Sequence, residues 1–296
     1  MIGKLEMFIA LAREAHFGRA AASLGITQPT LSSGIRQLEE QLGVQLVRRG
    51  SRFGALTPEG QRALLWARRI VGDARRMREE MRFSRHGLAG EVRLAAIPTA
   101  LTWASRLAAR FAARNPNVRF AIQSRTSAEI LSMIENLDVD AGISYLDNEP
   151  LGRVDTTFLY RETYTLVCAP GHPLAEAQTV GWRDLGGLSL CLLSPDMQNR
   201  RIINRKLMEA GIEARVQMES NSTVVLVSHV EEGGWATILP GDVAAFLTSG
   251  KAARVVPIRH GGEGHAVGLV IPHAEVQTPV LGALVEVAGK IASAGA

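Results

Sequence analysis

Cysteine is scarce in this chain, two in 296 residues, and aromatic side chains make up only 5%. Cys168 and Cys191 lie in apolar surroundings with no partner at metal-ligand spacing, so they read as buried free thiols rather than a disulfide or a zinc site. Long apolar runs are missing as well, and no segment reaches membrane-spanning length. The N-terminus mixes Leu5, Phe8, Ile9 and Leu11 with Lys4, Glu6 and Arg13 and lacks the apolar stretch and cleavage site of a signal peptide; a cytoplasmic protein with no membrane partner is expected. Catalytic motifs are lacking too. Gly262-Glu263-Gly264 has Val267 where a dinucleotide fingerprint needs its third glycine, and neither a Gly-x-Ser-x-Gly elbow nor a phosphate-loop lysine occurs. The seven histidines show no paired metal spacing, and Asp138 and Asp140 fit a turn at a helix-to-strand junction. No enzyme, cofactor or metal is expected.

What is present is unevenly spread. The length and a hydrophobic content of 46% suit two or three domains, each with its own core. Residues 1 to 90 carry 15 Lys and Arg against 8 Asp and Glu, whereas the rest carries 18 against 21. Positive charge gathered on the N-terminal segment is what neutralising phosphates requires.

That segment contains Gly18-Arg19-Ala20-Ala21-Ala22-Ser23-Leu24, a Gly25 break, and Thr27-Gln28-Pro29-Thr30-Leu31-Ser32-Ser33-Gly34-Ile35-Arg36-Gln37-Leu38. The alanines let two helices approach, Gly25 permits the turn, and Thr27 can cap a helix with Pro29 in its first turn. Leu31, Ile35, Leu38 and Leu42 repeat at helical spacing and should face inward, leaving Gln28, Thr30, Ser32, Ser33 and Arg36 outward. This is the face that a recognition helix offers double-stranded DNA. Arg49 and Arg52 follow in a short glycine-containing connection and read as a wing on the backbone or minor groove.

Thr57-Pro58-Glu59 starts a long helix reaching about residue 83, with Ala63, Leu64, Ala67, Ile70, Val71, Ala74, Met77 and Met81 as an apolar seam. Such a seam fits pairing with a second copy; packing against the chain's own second domain is the alternative. The arginines Arg62, Arg68, Arg69, Arg75, Arg76, Arg78 and Arg82 read chiefly as a solvated face. Beyond a hinge at Arg85 to Gly90, strands and helices alternate. Strands are expected at Val92–Ile97, Val118–Ser124, Ala141–Ser144, Thr165–Ala169, Leu188–Leu193, Val216–Glu219, Ala236–Leu239 and Ala266–Ile271. Helices are expected at Leu101–Arg114, Ser127–Leu137, Asn199–Ala210, Thr223–Glu232 and Thr278–Ala292. The pattern implies parallel sheets with helices on their faces, in two lobes.

Taken in order, these features resemble LysR-type transcriptional regulators over nearly the whole chain. The resemblance is carried by Phe17 to Ala21, Leu24 to Ser32, Ile35 to Glu39, Leu42-Gly43, Leu46 and Leu56 to Gly60. Val47 and Ala55 depart from the usual residues and leave the wing's packing and charge less defined. The resemblance implies an N-terminal all-α winged helix-turn-helix (1–58), a linker and dimerisation helix with hinge (59–90), and a C-terminal effector-binding domain (91–296). The last is a two-lobed α/β fold of the type-II periplasmic-binding-protein kind, with lobe 1 at 91–161 and 266–296 and lobe 2 at 162–265. It further implies Gln28, Pro29, Thr30, Ser32 and Ser33 at base edges or nearby phosphates, Arg36 on a phosphate, and Arg49 and Arg52 in the wing. A homodimer or homotetramer would place recognition helices on a partly symmetric operator and bend the DNA. An effector would close the lobes about crossovers near Leu159–Thr163 and Gly264–Gly268.

Effectors in such domains lie between the lobes at helix N-termini, where N–H groups and the helix dipole favour anions. The matching positions are Pro98, Thr99 and Ala100; Arg125, Thr126 and Ser127; Ser194, Asn199 and Arg200; and Asn221 and Ser222. Their hydroxyls and arginines suggest a small carboxylate or similar anion, although each hydroxyl taken singly could equally cap a helix. Tyr145 could close the pocket or merely cover the sheet. The runs around Arg125, Tyr145 and Ser194 look like a subgroup of these regulators found beside formate dehydrogenase genes, which makes a formate-related effector one candidate. A solute-binding transport component, or an oligomerisation scaffold for residues 91 to 296, are the competing readings.

Overall fold

Thr27 and Gly43 set the ends of the helix that the sequence singles out. The Thr27 hydroxyl accepts a hydrogen bond from the Thr30 amide at 3.3 Å, and Gly43 closes the C-terminus at φ 68°. The computed structural model describes residues 1–48, 55–147, 150–259, 261–262 and 264–294. The expected wing residues Arg49 and Arg52 lie outside them.

Helices α1 (Ile2–Glu14), α2 (Phe17–Ser23), α3 (Gln28–Leu42) and α4 (Pro58–His86) build the first compact unit, Met1–Gly87 together with Glu135–Asp138 and Val276–Pro279. Its core gathers Phe8 and Leu11 from α1, Ala20 and Ala21 from α2, Leu31, Ile35 and Leu38 from α3, and Ala67 and Val71 from α4. Small residues set the spacing. A Cβ on Gly60 would overlap the Leu46 carbonyl, so that close approach needs glycine, whereas one on Gly34 would meet only the movable Met7 thioether. Leu42 departs from the expected inward set: it lies past the core in the last turn of α3 and is 43% exposed. Glu39, buried on α3, accepts the Leu46 and Val47 amides at 2.9 and 3.2 Å. It thereby holds the chain where Val47 bridges Leu56 in antiparallel fashion.

The α4 seam divides. Ala67, Val71 and Ala74 are buried, with Ala63 and Leu64 packed against the same core, whereas Trp66, Ile70, Met77 and Met81 are exposed. Two of the arginines expected on a solvated face bond to residues of this unit outside α4. Arg68 donates to Asn136 Oδ1 at 2.7 Å and Arg75 to the Leu137 carbonyl at 2.7 Å.

The second unit holds two five-stranded sheets. Strands β1 (Gly90–Ala96), β2 (Val118–Ser124), β3 (Ala141–Tyr145), β4 (Val154–Glu162) and β10 (His265–Pro272) form one, in the order β2-β1-β3-β10-β4. Strands β5 (Tyr164–Cys168), β6 (Leu190–Leu193), β7 (Val216–Ser220), β8 (Ala236–Pro240) and β9 (Arg254–Pro257) form the other, in the order β7-β6-β8-β5-β9. Helices α5 (Leu101–Ala112), α6 (Ser127–Glu135), α7 (Gln198–Glu209), α8 (Thr223–Glu231), α9 (Gly241–Thr248) and α10 (Pro279–Ala294) complete it.

The sheets are mixed rather than wholly parallel. Strand β10 runs antiparallel to β3 and β4, and β5 runs antiparallel to β8 and β9. The reversals follow from the chain passing between the sheets: β4 leads through the single residue Thr163 into β5, and β10 returns to the first sheet. Strands β4 and β9 and helix α9 have no counterpart in the sequence expectation. Strand β4 exposes the apolar Phe158 and buries the charged Glu162, which obscures strand alternation.

Candidate functional site

The first site is the outward face of α3. Gln28, Pro29, Thr30, Ser33 and Arg36 are exposed and Ser32 is half-buried, on a helix whose opposite face anchors Leu31, Ile35 and Leu38. The Thr30 and Thr27 hydroxyls lie 2.8 Å apart, and Gln37 donates to Ser33 Oγ at 3.4 Å. No ion pair among the described residues engages Arg36, so its guanidinium is available to a phosphate.

The second site lies where the two sheets of the second unit meet. Glu162, last in β4, is 1% exposed, and its Oε1 accepts the Tyr145 hydroxyl at 2.5 Å and the Tyr164 hydroxyl at 2.9 Å. Asn199, in the first turn of α7, points its Nδ2 at both Tyr145 Oη and Glu162 Oε1, 3.4 Å from each. Burial pushes the Glu162 carboxyl up, against the pull of hydrogen bonds from Tyr145, Tyr164 and Asn199 and of the nearby Thr99 hydroxyl. Burial also pushes the Tyr145 and Tyr164 phenols well up, so both stay protonated and donate. The His265 ring stands edge-on to Tyr145 at 6.4 Å, and burial lowers its pKa.

Of the expected effector residues, Thr99 and Asn199 meet in this cluster. Pro98, Thr99 and Ala100 form a buried 3-10 turn after β1 in which the Thr99 hydroxyl caps no helix. Thr126 serves as a cap: its Oγ1 accepts the Glu129 amide at 3.2 Å, while Glu129 accepts the Thr126 amide at 2.9 Å. Ser127 Oγ beside it is buried without a partner. Ser194 is half-buried, Asn221 is exposed, and the Ser222 side chain makes no cap bond.

Both expected arginines make bonds within the chain. Arg125 turns back to the Ser124 carbonyl and Gln123 Oε1, each at 2.7 Å. Arg200 is held by the Leu193 carbonyl and Glu219, each at 2.8 Å, because its helix position aims it at β6 and β7. Tyr145, read as either a pocket residue or a sheet cover, is a member of the cluster. Glu162 and Tyr164 went unnoticed: they lie on the β4–β5 passage, and no local motif marks them.

A capped, outward-facing second helix in a helix-turn-helix unit, followed in the same chain by a two-lobed α/β unit with a polar cluster between its sheets, defines a DNA-binding regulator with an effector-binding domain. Residues 2–61 match the family described as bacterial regulatory helix-turn-helix protein, lysR family, and residues 85–292 match the LysR substrate binding domain. The chain belongs to the LysR family of transcriptional regulators. It is 30% identical to the Escherichia coli (strain K12) transcriptional regulator XapR over 251 residues, 84% of this chain and 85% of that one. It is 29% identical to a probable hydrogen peroxide-inducible genes activator of Mycobacterium avium over 271 residues, 91% and 87% of the two chains. Its fold resembles full-length OxyR of Pseudomonas aeruginosa at a TM-score of 0.75, with 23% identity and 99% of each chain covered. No described helix is long and apolar enough to cross a membrane.

Proposed function

We propose that this regulator reads its operator through Gln28, Pro29, Thr30, Ser32, Ser33 and Arg36, and that a small effector held between the lobes changes how it binds or bends DNA. The carrying observation is the α3 face, whose polar groups and Arg36 are exposed on a helix fixed by its buried side. Gln28 and the hydroxyls suit base edges, and Arg36 suits a phosphate. A second copy covers the Trp66, Ile70, Met77 and Met81 face of α4, which the chain's own core leaves open; this makes the dimer that a two-half-site operator requires. The effector acts by preferring one arrangement of the lobes about the Thr163 passage.

The peroxide response in the mycobacterial relative's name does not extend to this chain. Cys168 on β5 and Cys191 on β6 are separated by β8 and face different cores. Two strand spacings, about 9–10 Å, exceed disulfide reach. Burial pushes the Cys191 thiol up to about 11 and raises the Cys168 thiol, so neither offers a reactive thiolate.

The anionic class expected of the effector loses Arg125 and Arg200 to internal bonds and retains only helix N-termini in its favour. The test is footprinting of DNA flanking the chain's own gene, with small carboxylates, formate among them, and small organic cations added in turn. A protected site altered by one compound, with the alteration lost in Thr99→Val while protection persists, is expected. Protection that no compound alters, or an unchanged response in Thr99→Val, would remove the effector site from this account.

A further inference from the structure

The buried cluster between the sheets has its hydrogen bonds distributed unequally. Three donors, from Tyr145, Tyr164 and Asn199, converge on Glu162 Oε1. Glu162 Oε2 and Asn199 Oδ1 are fully buried and accept nothing from the chain. Thr99 Oγ1 and Ser144 Oγ, at the ends of the turn and strand beside them, are likewise buried without a well-formed bond. No ion pair among the described residues reaches Glu162, and the groups acting most on it are neutral. Arg200, the buried arginine nearby in sequence to Asn199, is already neutralised by Glu219. Arg205 and Lys206 of α7 act on His265, which pairs with Asp147.

With no cation beside it, burial makes the charged form of Glu162 costly and favours its proton, and two buried acceptors without donors add to the cost; a cation that supplies donors would relieve both and release the proton. The missing complement is positive and donates. An anion supplies neither property and would stand against Glu162 as a like charge. We propose that the interlobe cluster binds the ammonium or amidinium head of a small organic cation, with Glu162 Oε2 and Asn199 Oδ1 as its acceptors. This rests on the reading of the interlobe region as the effector site and names the effector's class. The Tyr145 and Tyr164 phenols hold the carboxylate from one side so that its second oxygen is presented to the ligand. Tyr145 belongs to the first sheet, Tyr164 to the second and Asn199 to helix α7, so a cation seated here ties both lobes to the passage at Thr163.

The test is thermal unfolding of the full chain near neutral pH and at constant ionic strength, with methylammonium, acetamidinium, formate, acetate and glycerol as probes and sodium chloride as reference. Methylammonium and acetamidinium are expected to raise the midpoint by about 2–4 °C at saturation. Glu162→Gln should abolish the rise, and Asn199→Ala, which removes the Oδ1 acceptor, should reduce it. No rise with either cation, or an equal rise in Glu162→Gln, would overturn the proposal. A rise with formate or acetate instead would overturn it in favour of an anion. Should Glu162→Gln not fold, Asn199→Ala decides alone, an unchanged rise counting against the proposal. Operator binding in the same preparations separates the two levels: selective DNA binding without a cation effect sinks only the ligand class, whereas absence of selective DNA binding sinks the regulator reading itself.

Discussion

The two sites of this chain are built in opposite ways. The DNA-reading face is a run of neighbours on one helix, exposed and held in place by what lies beneath it. The interlobe cluster is buried and takes Thr99, Tyr145, Glu162, Tyr164 and Asn199 from five separate segments. A surface that must meet a large, charged, regular partner needs a rigid, outward row of side chains, which a single capped helix provides. A site that must enclose a small molecule needs groups converging from several directions and shielded from water, which only tertiary structure provides.

The largest expected effect separates the units. Gly60→Ala places a methyl group against the Leu46 carbonyl, an overlap that backbone cannot relieve. It should cost about 3 kcal/mol, abolish operator binding and leave the second unit's unfolding transition in place by calorimetry. A parallel loss in both transitions would show that the units do not unfold separately. Next come the two contact types on α3. Gln28→Ala should lose about 1–3 kcal/mol of discrimination at the operator. Arg36→Ala should weaken binding to all sequences alike and lower the slope of log K against log salt by about one. Equal behaviour of the two variants across unrelated sequences would erase the division between reading and anchoring.

A smaller effect probes the buried cluster. Because burial raises the Glu162 pKa in the folded chain, the folded state holds this proton more tightly than the unfolded state. The stability so contributed is complete below the ordinary carboxylate value and is lost as pH climbs through the raised one. Glu162→Gln should therefore gain on the wild type as pH rises through that window, measured as midpoint against pH; a constant difference would place Glu162 in a paired, unshifted state. Smallest is the thiol effect. Peroxide should add no oxygen to Cys168 or Cys191 in the native chain by peptide mapping, and Cys168→Ser or Cys191→Ser should leave the response of operator binding to peroxide the same as in the wild type.

The same contrast explains what the sequence reveals. The α3 helix was legible because cap, proline, apolar repeat and terminal glycine follow one another in the chain, and each acts over one or two turns. Thr99 was legible from its place after a strand, and Asn199 from its place at a helix start. The partners of Arg125 and Arg200 were not, since spacing gives a residue's helix face but not the carbonyls and carboxylates waiting on a neighbouring strand. Glu162 was hidden for a further reason. It ends a strand whose exposed Phe158 and buried charge mask alternation, and its partners lie 17 and 37 positions away at Tyr145 and Asn199. The division of the α4 seam was equally hidden, because a periodic apolar stripe does not say how much of it the chain's own core will cover.

The central claim is that the α3 face reads a specific DNA site. Its most direct measurement is fluorescence anisotropy of the full chain with DNA flanking its own gene and with a scrambled duplex, each across a salt series. The account predicts tighter binding to the flanking DNA at every salt concentration, with a steep fall in affinity for both as salt rises. Equal affinity for the two duplexes, or affinity indifferent to salt, would contradict it.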